Sequence, residues 1–164
     1  IATMIKRCGE AKAEAIVRGW VANNPTLING DTKILEAVAA GQCDVALTNT
    51  YYLGRIVAKD AAFPVAAFWA NQPTPGTHVN ISGAGVTAHS KNRADAIKLI
   101  EFLTSPEAQE MMADSNFEYP ANPQASVNPV IAKWGKFKQD DTNVAAAGEY
   151  QAAATRLADR AGYK

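Results

Sequence analysis

The sequence has few of the residues that mark several common classes of protein. Its 164 residues include only two cysteines and two histidines, and 16 basic residues are balanced by 16 acidic ones. A chain without net charge lacks the basic excess typical of nucleic-acid-binding proteins, so we expect no nucleic-acid partner. No apolar run approaches the ~20 residues that cross a bilayer, because Lys59, Asp60 and Pro64 interrupt the most hydrophobic stretch. We therefore expect a globular chain that is not membrane-spanning.

The common catalytic and nucleotide-binding motifs are also missing. Gly83 and Gly85 do not complete a G-x-G-x-x-G pattern, and neither a Walker A lysine nor a G-x-S-x-G elbow occurs. His78 alternates with Val79 and Ile81, which is typical of a structural or surface position on a strand. An α/β hydrolase or transferase is thus the least favoured alternative, because no nucleophile and base are paired.

The hydrophobic pattern predicts an α/β fold with a mostly parallel sheet, in which helices alternate with short strands. Gly9 and Gly41 are expected to end helices, and Asp31 and Ser105 to cap them. The predicted helices cover residues 1–8, 10–23, 32–40, 51–57, 93–103, 106–114 and 143–160. The predicted strands cover residues 44–48, 63–69 and 77–81.

A tyrosine pair, Tyr51 and Tyr52, stands directly after the first predicted strand. Ligands of open α/β sheets bind at the carboxyl ends of strands. Adjacent side chains on a strand point to opposite faces, so two neighbouring tyrosines can converge on one ligand only where the chain turns, as from strand to helix. Phenolate oxygen is a hard anionic donor, and ferric iron can remove the proton of a phenol despite its pKa of about 10. On the residues alone, aromatic packing at a helix start is the simpler explanation of the pair, and iron ligation is the alternative.

Four blocks of sequence resemble a known family. They are GQCDVALTNTYYLG from Gly41 to Gly54, PGTHVNISGAGV from Pro75 to Val86, AIKLIEFLTSPEAQ from Ala96 to Gln109, and EYPANP from Glu118 to Pro123. In this order they closely resemble the periplasmic ferric-iron-binding proteins, the solute receptors of bacterial iron ABC transporters. The resemblance covers nearly the whole chain.

The resemblance implies a class II periplasmic-binding-protein-like fold, a two-lobed clamshell, and a non-enzymatic role. Tyr51 and Tyr52 match the tyrosine pair that supplies two phenolate ligands to Fe(III) in this family. Asn49 matches a position that in several members helps to bind a synergistic anion, phosphate or carbonate. The resemblance further implies a periplasmic location and delivery of iron to an inner-membrane ABC permease.

The length departs from the family, whose members are about twice as long. The resemblance implies that residues 1–82 belong to the carboxyl-terminal lobe, that residues 83–132 cross the hinge, and that residues 133–164 return. The amino-terminal lobe, with the remaining iron ligands, is then missing and is supplied by the same protein or by a companion chain. The helical spacing of apolar residues already begins at Ile1, and neither an initiator Met nor a capping residue precedes it, which fits this expectation.

Two further alternatives concern the ligand and the cysteines. A receptor of the same fold for another solute, such as a polyamine or phosphonate, would need lining residues that mostly lie in the missing half. Cys8 and Cys43 have no metal-binding spacing, and either a disulfide or two free thiols fits the sequence. The periplasmic location implied by the resemblance favours the disulfide.

Overall fold

The computed structural model describes residues 1–163, and those residues form helices joined by turns and irregular segments. The helices are α1 (Ala2–Cys8), α2 (Glu10–Ala22), α3 (Asp31–Ala39), α4 (Thr50–Val57), α5 (Arg93–Leu103), α6 (Pro106–Asn116), α7 (Pro129–Ala132), α8 (Ala145–Glu149) and α9 (Gln151–Ala161). Within this described part of the chain, no helix is both long and apolar enough to cross a bilayer.

Local sequence signals place several helix ends correctly. Gly9 ends α1 with a φ of 81°, a conformation that glycine adopts without a Cβ clash. Pro106 begins α6, and the Ser105 hydroxyl oxygen accepts the N–H of Ala108 at 3.3 Å, as a capping residue does. The alanine-rich region near the carboxyl terminus is not one helix as expected, because it breaks at Tyr150 into α8 and α9.

The first of two compact units contains Ile1–Leu27 and the residues from Asp140 onward. Side chains from α1, α2 and α9 form its core: Ile5, Ala13, Val17, Leu157 and Ala161. Along α2, Ala13 and Val17 are fully buried, whereas Ile16 and Trp20 are each 37% exposed. The Arg160 guanidinium joins α9 to α2 through Glu10 at 2.7 Å and Glu14 at 2.8 Å.

The second compact unit, Ile28–Gln139, carries the tyrosine pair. The two units divide at different residues from the predicted lobe boundaries 1–82, 83–132 and 133–164. Those boundaries describe the place of each segment in a longer receptor, and they stay a prediction, with the last residue outside the described part.

Residues 44–48, 63–69 and 77–81 form no ladder within residues 1–163, so the prediction of these three strands is wrong for this part of the chain. An isolated parallel bridge joins Thr77 to Gln139. Val45 and Leu47, both in the predicted strand 44–48, are each 85% exposed. An apolar pattern shows that a segment has side chains suited to burial. A ladder also needs a neighbouring strand that hydrogen-bonds to the N–H and C=O groups of the segment.

Gly54 allows α4 to lie directly against the residues that follow α6. A Cβ built on Gly54 would lie 2.6 Å from Phe117 Cβ and 3.3 Å from Ile131 Cγ2. The Cβ of Phe117 is fixed by its backbone, which ends α6 in the left-handed conformation with a φ of 59°. A rotamer change cannot relieve such a contact, so this position of α4 requires glycine.

We expect Gly54→Ala to destabilise the protein by about 1–3 kcal/mol, because the added methyl group overpacks the contact with Phe117. Gly19→Ala is the matched control, since Gly19 lies inside α2 with nothing within 4 Å of a built Cβ. That control should raise stability by about 0.5–1 kcal/mol through helix propensity alone. Chemical denaturation measures both changes, and equal stabilities of the two variants would contradict the packing argument.

Candidate functional site

The two tyrosines lie in the first turn of α4, side by side. The centroids of the Tyr51 and Tyr52 rings are 4.5 Å apart, with 35° between their planes, and both residues are partly exposed. Asn49 precedes the helix in an extended conformation, φ −76° and ψ 137°. The chain therefore turns from an extended residue into a helix at this point, and the two rings lie close together there.

Arg55 places a positive charge beside both rings. Its guanidinium carbon Cζ lies 5.2 Å from the centroid of the Tyr51 ring and 5.6 Å from that of the Tyr52 ring. Residues three and four apart are neighbours on a helix, which explains why one side chain reaches two rings. Sequence reasoning missed Arg55, although its spacing from the tyrosine pair was a readable signal. A cation at this distance is attracted to the faces of the aromatic rings.

The surroundings of the Tyr51 phenol favour its neutral form. The pKa of Tyr51 lies above its usual range, chiefly because of hydrogen bonding to the Tyr52 side chain and then because partial burial disfavours a phenolate. Repulsion by the charges of Tyr52, Asp31 and Glu118 raises the pKa further. A trivalent cation between the two oxygens would reverse this repulsion, because it attracts both phenolates at once.

Asp31 does not have the role that the sequence predicted for it. It was expected to cap α3, but it is the first residue of that helix and makes no side-chain capping bond there. Its carboxylate oxygen Oδ1 instead accepts the backbone N–H of Asn49 at 2.9 Å. The Asn49 side chain makes no capping bond to α4, so its amide is not engaged by the helix that it precedes.

The other residues singled out in the sequence are two cysteines and two histidines. Within residues 1–163, no three His, Cys, Asp or Glu side chains gather into a set that could hold a metal ion. Cys8 and Cys43 are free thiols, so the disulfide favoured above is not formed, and Cys8 Sγ donates to the carbonyl oxygen of Met4 at 3.1 Å. Both His78 and His89 are exposed.

Tyr119 is a structural tyrosine in the same unit. Its hydroxyl donates to the carbonyl oxygen of Ile131 at 3.3 Å, and its ring packs edge-on against those of Trp69 and Phe137. Burial raises the pKa of its phenol. The preceding Glu118 is the member of this block whose charge reaches Tyr51.

Comparison with known proteins assigns the chain to a family. The sequence profile described as bacterial extracellular solute-binding protein matches residues 6–139. Iron uptake protein A1 of Synechocystis is 39% identical, with 100% of this chain aligned to 48% of that protein. The chain thus spans about half the length of the curated relatives it matches.

Solved structures agree with the sequence match. The Trichodesmium protein IdiA (FutA), in complex with iron and citrate, superimposes with a TM-score of 0.92 at 40% identity, over 99% of this chain and 54% of that one. Apo FutA2 from Synechocystis gives a TM-score of 0.92 at 35% identity, over 99% and 55%. These likenesses confirm the expected class II periplasmic-binding-protein fold, of which this chain represents about half.

Proposed function

The chain belongs to the bacterial extracellular solute-binding protein family, and from this premise we propose that its protein is a ferric-iron receptor in which Tyr51 and Tyr52 ligate Fe(III). The observation that carries the proposal is the pair of phenol rings 4.5 Å apart at the start of α4. Its relatives support the proposal, since one is an iron uptake protein and another was solved in complex with iron and citrate.

The chemistry of the pair suits a ferric cargo. Each phenol loses its proton when it binds, and the resulting phenolate is a hard anionic oxygen donor that suits a hard trivalent cation. The raised pKa of Tyr51 means that a weakly polarising ion would leave the phenol neutral and bind poorly. The Arg55 guanidinium beside both rings adds positive charge that offsets the negative charge of two phenolates.

Asn49 is the proposed anion-binding residue. It occupies the position just before α4, and the positive end of the helix macrodipole lies there. An anion such as phosphate or carbonate, bound by the Asn49 side-chain amide, would complete the coordination of the iron next to the tyrosines. The backbone of Asn49 is already fixed by Asp31, which leaves the side chain to interact with the ligand.

The rest of the mechanism depends on the other half of the receptor. In the proposed assembly, residues 1–82 and 133–164 belong to the carboxyl-terminal lobe and residues 83–132 cross the hinge. The amino-terminal lobe, in the same protein or in a companion chain, supplies the remaining ligands. Closure around iron follows because the closed state alone brings ligands from both lobes to the metal. The closed receptor then delivers Fe(III), outside the cytoplasm in the periplasm, to an inner-membrane ABC permease.

The tyrosines are tested by removing their oxygens in the intact receptor. Tyr51→Phe and Tyr52→Phe should each weaken the visible tyrosinate-to-iron charge-transfer band and lower iron affinity by more than about 100-fold, since loss of a ligand exceeds the 10–100-fold cost of losing its supporting contacts. The double variant should show no band. Absorbance during titration with chelated Fe(III) measures both quantities.

Tyr163→Phe is the matched control, because Tyr163 belongs to the first unit, where its ring lies 6.2 Å from that of Trp20. It should bind iron like the wild type. A double variant that retains the band would overturn the assignment of Tyr51 and Tyr52.

The anion site is tested separately. Asn49→Ala should remove most of the gain in iron affinity that phosphate or carbonate gives the wild type, while the charge-transfer band remains. Asn80→Ala is the control, since Asn80 is an exposed amide in an extended segment. Iron titrations with and without each anion give the result, and an unchanged anion dependence in Asn49→Ala would refute the role of Asn49.

A further inference from the structure

Asp31 occupies an unusual place between two helices. It begins α3, after Gly30 with a φ of 106°, yet its carboxylate bonds to the chain 18 residues later, at the N–H of Asn49. The first turn of α4 contains no acidic residue of its own. Asp31 therefore supplies from another helix the negative charge that favours a helix N-terminus, together with a charge-assisted hydrogen bond.

The segment that leads into α4 has little else to fix it. Residues 43–49 form neither helix nor ladder, and residues 44–47 are exposed. Val45 and Leu47 are each 85% exposed and so contribute little packing. The hydrogen bond to Asp31 is a fixed point at the place where this extended segment becomes the tyrosine helix.

The other end of α4 is held by packing. Leu53 is 4% exposed, and Gly54 lies against Phe117 and Ile131. Tyr51 and Tyr52 lie between this packed part and the Asp31 contact. The backbone that carries the two phenols is thus held on both sides, by apolar contact after them and by a carboxylate before them.

We propose that Asp31 is a positioning residue for the tyrosine pair, an inference that rests on the proposed function. By accepting the Asn49 N–H, its carboxylate fixes the first turn of α4 and so sets where the two phenolic oxygens lie when iron arrives. Asp31 does not contact the metal in this account, and it acts through the backbone of Asn49. The bond lies just before the tyrosines, so its loss alters their geometry more than it alters the fold.

The test uses three variants of the intact receptor. Asp31→Ala removes the acceptor, Asp31→Asn keeps an acceptor oxygen but loses the charge, and Glu36→Ala removes an exposed carboxylate from the same helix as a control. The measurements are the position of the charge-transfer band and the rate of iron release to a competing chelator. Circular dichroism of each iron-free variant shows whether it is folded.

We expect Asp31→Ala to keep a band that is displaced from the wild-type position, and to release iron about tenfold faster, the scale of one charge-assisted hydrogen bond. Asp31→Asn should lie between Asp31→Ala and the wild type, and Glu36→Ala should match the wild type. Band position reports the geometry at the iron, which a purely structural loss of stability would not move.

The outcomes distinguish failure of the positioning role of Asp31 from failure of the proposed function. A folded Asp31→Ala variant with the wild-type band and release rate would overturn the positioning role and leave the proposed function standing. If Asp31→Ala does not fold, Asp31→Asn decides, and a wild-type release rate in that variant would overturn the role. A wild-type receptor without any charge-transfer band would instead overturn the proposed function itself.

Discussion

The close approach of α4 to Phe117 and Ile131, which Gly54 permits, is the contact on which the site depends. A helix of eight residues has little stability of its own in water, so its position comes from packing rather than from propensity. That packing fixes the half of α4 after the tyrosines. The two tyrosines are partly exposed. The helix that carries them is held by its buried contact with Phe117 and Ile131.

Two charged side chains act on α4 in addition to this packing. The Asp31 carboxylate lies at the N-terminal end of α4, and the Arg55 guanidinium lies beside the faces of both tyrosine rings. The first favours the helix start, and the second offsets the negative charge that two phenolates would create. In the proposed function, the site combines a backbone held at both ends with phenols that become strong donors only for a strongly polarising cation such as Fe(III).

The sequence correctly predicted features that depend only on residues close along the chain, such as the ends of helices. Gly9 ended a helix and Ser105 capped one, because each acts within a turn of its own position. The strand at residues 44–48 was predicted from its apolar run, but pairing depends on a distant partner that local pattern cannot supply. The prediction that Asp31 caps α3 was wrong for the same reason. Its carboxylate can accept a hydrogen bond from a nearby or a distant N–H, and only the tertiary structure shows that the donor is Asn49.

The central claim is that both phenolic oxygens of the tyrosine pair bind the iron. A crystal structure of the intact receptor loaded with Fe(III) tests it most directly, because anomalous scattering locates the metal without assumptions about its ligands. The account predicts iron bonded to the Oη atoms of Tyr51 and Tyr52, with α4 in the position described. Iron bound at other residues, or to only one of the two phenols, would contradict it.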